Sequence, residues 1–186
     1  LHEAPIATVP GMRIVAAGSC SDPRELHSAI LWPAASLWVV NPDGSNAQRR
    51  TDTEVPHVGL RIDHDMPPLD NLPAMAIPDN KFAFVTVQAG GRSSLCRVSL
   101  TGDLCCEEVI GGNRSCAILD ACSRGCQLLF WATSFDVPGE LNIARWDDVK
   151  IEQQITDLNS AVLRHWPSMR VQHIPFVSVD GWHLEG

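Results

Sequence analysis

A serine that performs hydrolysis needs a sharp strand-to-helix turn of the form G-x-S-x-G, with an acidic residue and a histidine further along the chain. Two stretches come nearest, Gly18-Ser19-Cys20-Ser21 and Gly91-Arg92-Ser93-Ser94, and neither has that form. His165, His173 and His183 cluster towards the C-terminus and read as surface or packing histidines. His57, Asp63, His64 and Asp65 combine imidazoles and carboxylates, ligand types that suit zinc or manganese. Beside Met66-Pro67-Pro68 they read instead as a solvated loop whose aspartates cap turns, so no metal site and no cofactor is expected. Glu107-Glu108 and Asp147-Asp148 read as solvated turn or edge charges.

The cysteines number seven: Cys20, Cys96, Cys105, Cys106, Cys116, Cys122 and Cys126. An odd count leaves at least one unpaired within the chain, and no C-x-x-C spacing occurs, which removes zinc ribbons and thioredoxin-type motifs. Most lie in apolar, strand-like runs, as Cys96 does between Leu95 and Val98. Buried, reduced thiols acting as small hydrophobes are expected, and with them a reducing, cytoplasmic setting.

The elements that would position these groups follow from composition and pattern. The chain of 186 residues is 45% hydrophobic and 19% charged, enough to bury a sizeable core. A formal net charge of −8, with no basic cluster longer than Arg49-Arg50, argues against nucleic acid as a partner. No apolar run reaches membrane-spanning length, so no membrane partner is expected. Leu1 in place of a starting Met suggests a chain cut at its front.

In chain order, residues 2–11 carry two prolines and no period and read as a tail or broken-off loop. Residues 12–17 form a strand candidate, 19–34 a loop with a short helical turn at 24–30, and 36–41 a strong apolar strand. Pro42-Asp43-Gly44-Ser45-Asn46 supplies turn chemistry before a return strand at 47–51. Further strands are read at 82–87, 95–100 and 106–110, then at 117–121, 128–133, 141–146 and 151–155, with Gly-rich turns between most of them. Cys96, Val98 and Leu100 alternate with Arg97 and Ser99, whereas the runs at Phe82 and Leu128 are apolar throughout, as inner strands would be. The step from Phe84 to Phe130 is close to the length of one propeller blade, about 40–45 residues. Trp38, Trp131 and Trp146 fall inside strands and read as core or inter-blade packing. Thr156 or Asp157 can cap a helix on which Leu158, Val162 and Trp166 share a side for two to three turns, until Pro167 ends it. A strand at 171–177 and an Asp180-Gly181 turn into Trp182-His183-Leu184 then begin a hairpin, which alone is marginal in water.

Two sets of these residues carry a resemblance. Leu37, Trp38, Asp43, Gly44 and Thr51, with Arg50 where leucine is usual, resemble the repeated "l-w-x-x-x-x-D-G-x-x-x-x-L-T" unit of TolB-like and prolyl-oligopeptidase-type β-propellers. Residues 73–81 resemble that unit's "P-x-W-S-P-D-G-K", departing at Met75, Ile77 and Asn80. Pro138, Glu140 and Leu141, then Thr156 and Asn159, then Ser178, Asp180, Gly181 and Gly186 match "P-x-E-L", "L-T-x-x-N" and "S-x-D-G-x-x-I-x-G-W", with Ile155 for the usual leucine. In that order they resemble the junction between propeller and α/β-hydrolase domain in serine peptidases of the prolyl oligopeptidase family, the acylaminoacyl-peptidase-like branch in particular.

The resemblance implies a mainly β chain: a partial β-propeller of about three blades over 1–156, a helical linker over 157–169, and the first hairpin of a truncated hydrolase domain over 170–186. Closed propellers have typically 4 to 8 blades, so the first and last sheets should expose faces that favour association, including homo-oligomers, or that other blades cover. The whole enzyme would hydrolyse short peptides, releasing an acylated or free N-terminal residue, with the propeller restricting access. Its catalytic Ser, Asp and His lie beyond Gly186 in that family, so no catalytic residue is carried over to this chain, and its substrate-binding residues are unassigned. Acidic pairs in related propellers hold a substrate amino terminus, but nothing in the sequence places Glu107-Glu108 or Asp147-Asp148 in the channel. The partners implied are short peptides, the missing hydrolase domain and the remaining blades. The alternatives are a non-catalytic, TolB-like protein-binding propeller and a stand-alone protein that has lost its hydrolase half.

Overall fold

The computed structural model describes residues 6–9, 13–18, 36–51, 58, 75–148, 151–167 and 171–185. Twelve of its strands make three four-stranded antiparallel sheets, each a meander in chain order. The first contains β1 (Ile6–Val9), β2 (Arg13–Gly18), β3 (Ser36–Val40) and β4 (Gln48–Arg49). The second contains β5 (Met75–Ala76), β6 (Phe82–Ala89), β7 (Arg92–Ser99) and β8 (Cys106–Ile110). The third contains β9 (Ser115–Cys122), β10 (Gln127–Thr133), β11 (Glu140–Arg145) and β12 (Glu152–Gln154). A short helix, α1 (Ser160–Leu163), and a separate hairpin of β13 (Pro175–Val177) and β14 (His183–Glu185) follow.

Turn chemistry fixes the registers. β6 and β7 pair from Phe82↔Ser99 to Ala89↔Arg92, leaving Gly90 and Gly91 as a two-residue loop with φ of +56° and +69°. Positive φ at both positions matches the twist of the flanking strands, and only glycine adopts it freely. Between β3 and β4, Asp43 Oδ1 accepts from the Ser45 N–H at 2.9 Å and the Ser45 hydroxyl at 2.6 Å. These bonds, the hydroxyl first, hold the Asp43 carboxyl below its ordinary range.

The core consists of two apolar layers, one on each face of the middle sheet. Ala83, Val85, Val87, Cys96 and Val98 pack with Leu37 and Val39 of the first sheet. Phe84, Leu95 and Ile110 pack the other way, against Ile118, Leu128, Phe130 and Ala144 of the third. That is why β6 is apolar without alternation: it has a neighbour on both faces. β10 has one neighbour, so Leu128, Phe130 and Ala132 are buried while Leu129 and Trp131 are half-exposed, short of the full burial its sequence suggests. Trp146 carries the third sheet onto Phe84 of the second, with ring centroids 4.9 Å apart, as inter-blade packing requires.

Several expectations need correction. Residues 6–9, read as tail, pair with β2 from Ile6↔Ala16 to Val9↔Arg13 and form the first strand of the first sheet. β5 joins the second sheet through Met75↔Val85 and Ala76↔Phe84. The linker helix is a single turn with no buried residue, because its stripe of Leu158, Val162 and Trp166 faces no surface among the described residues. The strand expected at 171–177 is confined to Pro175–Val177. Among the described cysteines, Cys96 and Cys116 are buried, Cys106 and Cys126 half-buried, and Cys105 and Cys122 exposed, so buried thiols account for only part of the set. Cys20, the expected loop at 19–34, and His57, Asp63, His64 and Asp65 lie outside the described residues.

Candidate functional site: the joint where the chain leaves the third sheet

The first and third sheets end in the same way. In the first, the Arg50 N–H donates to the Leu37 carbonyl at 2.8 Å, and the Leu37 N–H donates to Thr51 Oγ1 at 3.1 Å. In the third, the Ile155 N–H donates to the Leu141 carbonyl at 2.8 Å, and the Leu141 N–H donates to Thr156 Oγ1 at 2.8 Å. A threonine hydroxyl thus closes the ladder where a fourth strand ends, and the repeated "L-T" pattern acquires a physical reason. In the second sheet Gly111 follows Ile110, the partner of Leu95, so the hydroxyl is missing there.

At the third sheet the device is enlarged into a joint. Glu140, 2% exposed, receives the Thr156 hydroxyl, the Leu158 N–H at 2.8 Å, the Asn159 N–H at 3.1 Å and the Asn159 side-chain amide at 2.9 Å. The same amide also donates to the Gly139 carbonyl at 3.2 Å. Burial works to raise the Glu140 pKa, and the four hydrogen bonds outweigh it, leaving the carboxyl below its ordinary range. The Thr156 hydroxyl, expected to cap the helix, is instead bound to Glu140, which holds the two N–H groups ahead of α1. Asn159 occupies the N-cap position and makes no side-chain cap bond. Gly139 is required by close approach: a Cβ there would lie 1.8 Å from the Trp131 ring.

Beside the joint lies an open cleft of about 160 Å³, lined by Arg114, Thr133, Ser134, Val137, Asn142 and Gln154 among others. Arg114 is already committed there. It makes a two-pronged pair with Glu152 at 2.6 and 2.7 Å, donates to the Gly111 carbonyl at 3.0 Å, and lies over the Phe130 ring at 5.9 Å. These contacts hold the Arg114 guanidinium in place beside the joint.

The other groups singled out in the sequence do not converge on it. His165, His173 and His183 are all exposed. Glu107 pairs with Arg97 at 2.6 Å on β8, the outer edge of the second sheet, and Asp147 pairs with Arg145 at 2.6 Å in the turn after β11. The second and third sheets meet through β9, which packs across β7, β5 and β6. Among the described residues, no group of three or more His, Cys, Asp or Glu is close enough to hold a metal. Among them, too, no helix is long and apolar enough to cross a membrane.

Beyond the joint the chain carries its apolar side chains into solvent. Leu158, Val162, Trp166, Phe176, Val179 and Trp182 are all exposed, Val179 completely. A sequence this rich in apolar residues normally covers them.

No protein-family model and no curated protein matches the chain. Solved structures do resemble it. An acylaminoacyl peptidase from Pyrococcus horikoshii is similar over 98% of this chain and 24% of its own, at 17% identity and a TM-score of 0.65. TolB from Acinetobacter baumannii is similar over 96% of this chain and 36% of its own, at 13% identity and a TM-score of 0.58. The β-propeller domain of the Trilobed protease from Pyrococcus furiosus is similar over 86% of this chain and 42% of its own, at 16% identity and a TM-score of 0.52. The chain thus spans less than half the length of each. With three consecutive four-stranded meanders packed face to face, the likeness shows that this chain folds as part of a β-propeller.

Proposed function

We propose that the chain belongs to a serine-type peptidase of the prolyl oligopeptidase family, in its acylaminoacyl-peptidase-like branch. In this reading residues 1–156 are part of the propeller, 157–169 the linker, and 170–186 the first strands of the α/β-hydrolase domain. The joint at Glu140 carries it. Glu140, Thr156 and Asn159, three of the residues through which the sequence resembles the family's propeller-to-hydrolase junction, form one hydrogen-bonded unit around the buried Glu140 where the chain leaves its third sheet. A binding propeller has little use for clamping a segment that then runs on with Trp166, Phe176 and Trp182 uncovered.

The whole protein would cleave short peptides through an acyl-enzyme on a serine activated by a histidine and an aspartate placed downstream of Gly186. The propeller would admit substrates by size, and the uncovered apolar surface would pack on the hydrolase domain. A cytoplasmic setting belongs to the same proposal and is supported by the free thiols. The likeness to TolB favours a second reading, a non-catalytic propeller that binds other proteins.

The test compares this chain with a version extended through its native downstream sequence, using acyl-aminoacyl and dipeptidyl chromogenic substrates and a serine-directed fluorophosphonate. Hydrolysis and labelling are expected in the extended version alone. Silence from both would favour the binding propeller, and an active, labelled short chain would overturn the assignment of catalysis to downstream residues.

A further inference from the structure

In the second sheet, β7 and β8 pair with Val98 opposite Cys106 and Cys96 opposite Glu108. Alternation puts Cys96, Val98 and Cys106 on one face, and all three belong to or pack on the same apolar cluster. Cys96 and Cys106 are therefore diagonal neighbours across one strand pair. The register slips between Leu95 and Cys96, and such a bulge increases the local twist. β8 is the outer edge of its sheet, free to shift on one side.

The two thiols occupy different environments. Cys96 is buried and Cys106 half-buried. The two thiols perturb each other: the neighbouring Cys106 thiol, then burial, pushes the Cys96 pKa up, with Glu108 adding a smaller push. Cys96 in turn draws the Cys106 thiol down against its own burial. The thiolate is the reactive form, so the half-buried sulfur is also the more nucleophilic.

We propose that Cys106 is a peroxide-reactive thiol and Cys96 its resolving partner, the two forming a reversible disulfide across β7 and β8. The Cys106 thiolate attacks one oxygen of hydrogen peroxide. The S–O bond forms as the O–O bond breaks, hydroxide leaves, and the sulfur is oxidised by two electrons to a sulfenic acid. Cys96 then loses its proton and attacks that sulfur, forming the S–S bond as the S–O bond breaks and water departs. Two thiols and one peroxide thus give one disulfide and two waters, and a dithiol reductant reverses the change. The proposal is independent of the peptidase reading, since it uses only the second sheet.

The experiment treats the chain with hydrogen peroxide, alkylates the remaining thiols and maps linked peptides by mass spectrometry. The Cys96–Cys106 link is expected, lost on adding dithiothreitol. Cys96→Ser should leave Cys106 trappable by dimedone, Cys106→Ser should abolish both products, and Cys105→Ser should leave the link in place. Oxidation of exposed Cys105 or Cys122 with Cys96 and Cys106 still alkylated would overturn the proposal, as would a link through Cys105. Circular dichroism of each variant separates loss of chemistry from loss of fold.

Discussion

Glu140 is a buried carboxylate that survives burial because every neighbouring group donates to it. Removing it with Glu140→Ala strands the Leu158 and Asn159 N–H groups and the Thr156 hydroxyl. Each unsatisfied buried donor costs about 1–3 kcal/mol, so a total loss of about 3 kcal/mol is expected from urea unfolding, allowing for partial rescue by water. Glu140→Gln should lose less, since one oxygen still accepts while its amide faces donors. The sign of the pH dependence follows from the depressed pKa. The unfolded carboxyl, near its ordinary 4.5, binds protons at a pH where the folded one does not. The contribution is therefore complete above that value and disappears as pH falls through the lower folded value. Urea midpoints across the acid range should fall less steeply for Glu140→Gln than for the unaltered chain. Parallel slopes would show that the carboxylate does not carry this contribution. Asp43 and Asp147 also have lowered values, and the difference between the two chains removes their share.

At the scale of elements, the first two sheets are joined by one side chain in particular. Arg50 is 5% exposed, and its guanidinium donates to the carbonyls of Ser99 at 2.8 Å and Gly102 at 3.1 Å, in and after β7. The residue that departs from the usual leucine of the repeat is therefore a clamp across sheets. Arg50→Met keeps the stem and removes the donors, with an expected loss of about 1.5–3 kcal/mol. Arg50→Lys should recover only part, because an ammonium cannot reproduce the planar fork. A shift in urea midpoint at unchanged m-value is the readout, and a Met variant as stable as the original would refute the clamp. This scale also shows what the sequence made legible. β6 to β8 could be read because glycine turns and alternation coincide within a few residues. β1 and β5 could not, since four residues near Pro5 and Pro10 and a two-residue strand become strands only by pairing with β2 and β6. The Glu140 joint was visible only as separate matches to a family pattern. Its members lie 16 to 19 residues apart, and only the path of β11 and β12 brings them together. The linker helix misled for the opposite reason: its spacing is genuine, but a stripe without a facing surface adds nothing to a short helix.

Among the described residues, three four-stranded sheets stack with a well-filled centre and uneven ends. Phe84 and Phe130, both fully buried, anchor the contact between the second and third sheets, each contributing about 1.5–3 kcal/mol through burial. Past Glu140 the balance reverses, and a hairpin paired only through Pro175↔Glu185, Phe176↔Leu184 and Val177↔His183 carries exposed Phe176 and Trp182. Two strands cannot bury such side chains, so the energy they could contribute is left for another surface to collect. If that surface is the hydrolase domain, the short chain should bind a hydrophobic dye and self-associate as concentration rises, and the extended version should do neither. Replacing Phe176, Val179 and Trp182 together by serine should suppress both effects in the short chain without moving its unfolding midpoint, because those residues lie outside the two core layers. In the extended version the same triple change should lower the midpoint, because it would then remove a buried contact. Sedimentation velocity and thermal unfolding of the four proteins distinguish these cases. An extended version that tolerated the triple change as well as the short one would mean that the hairpin packs on nothing downstream, and the junction reading would lose its main structural consequence.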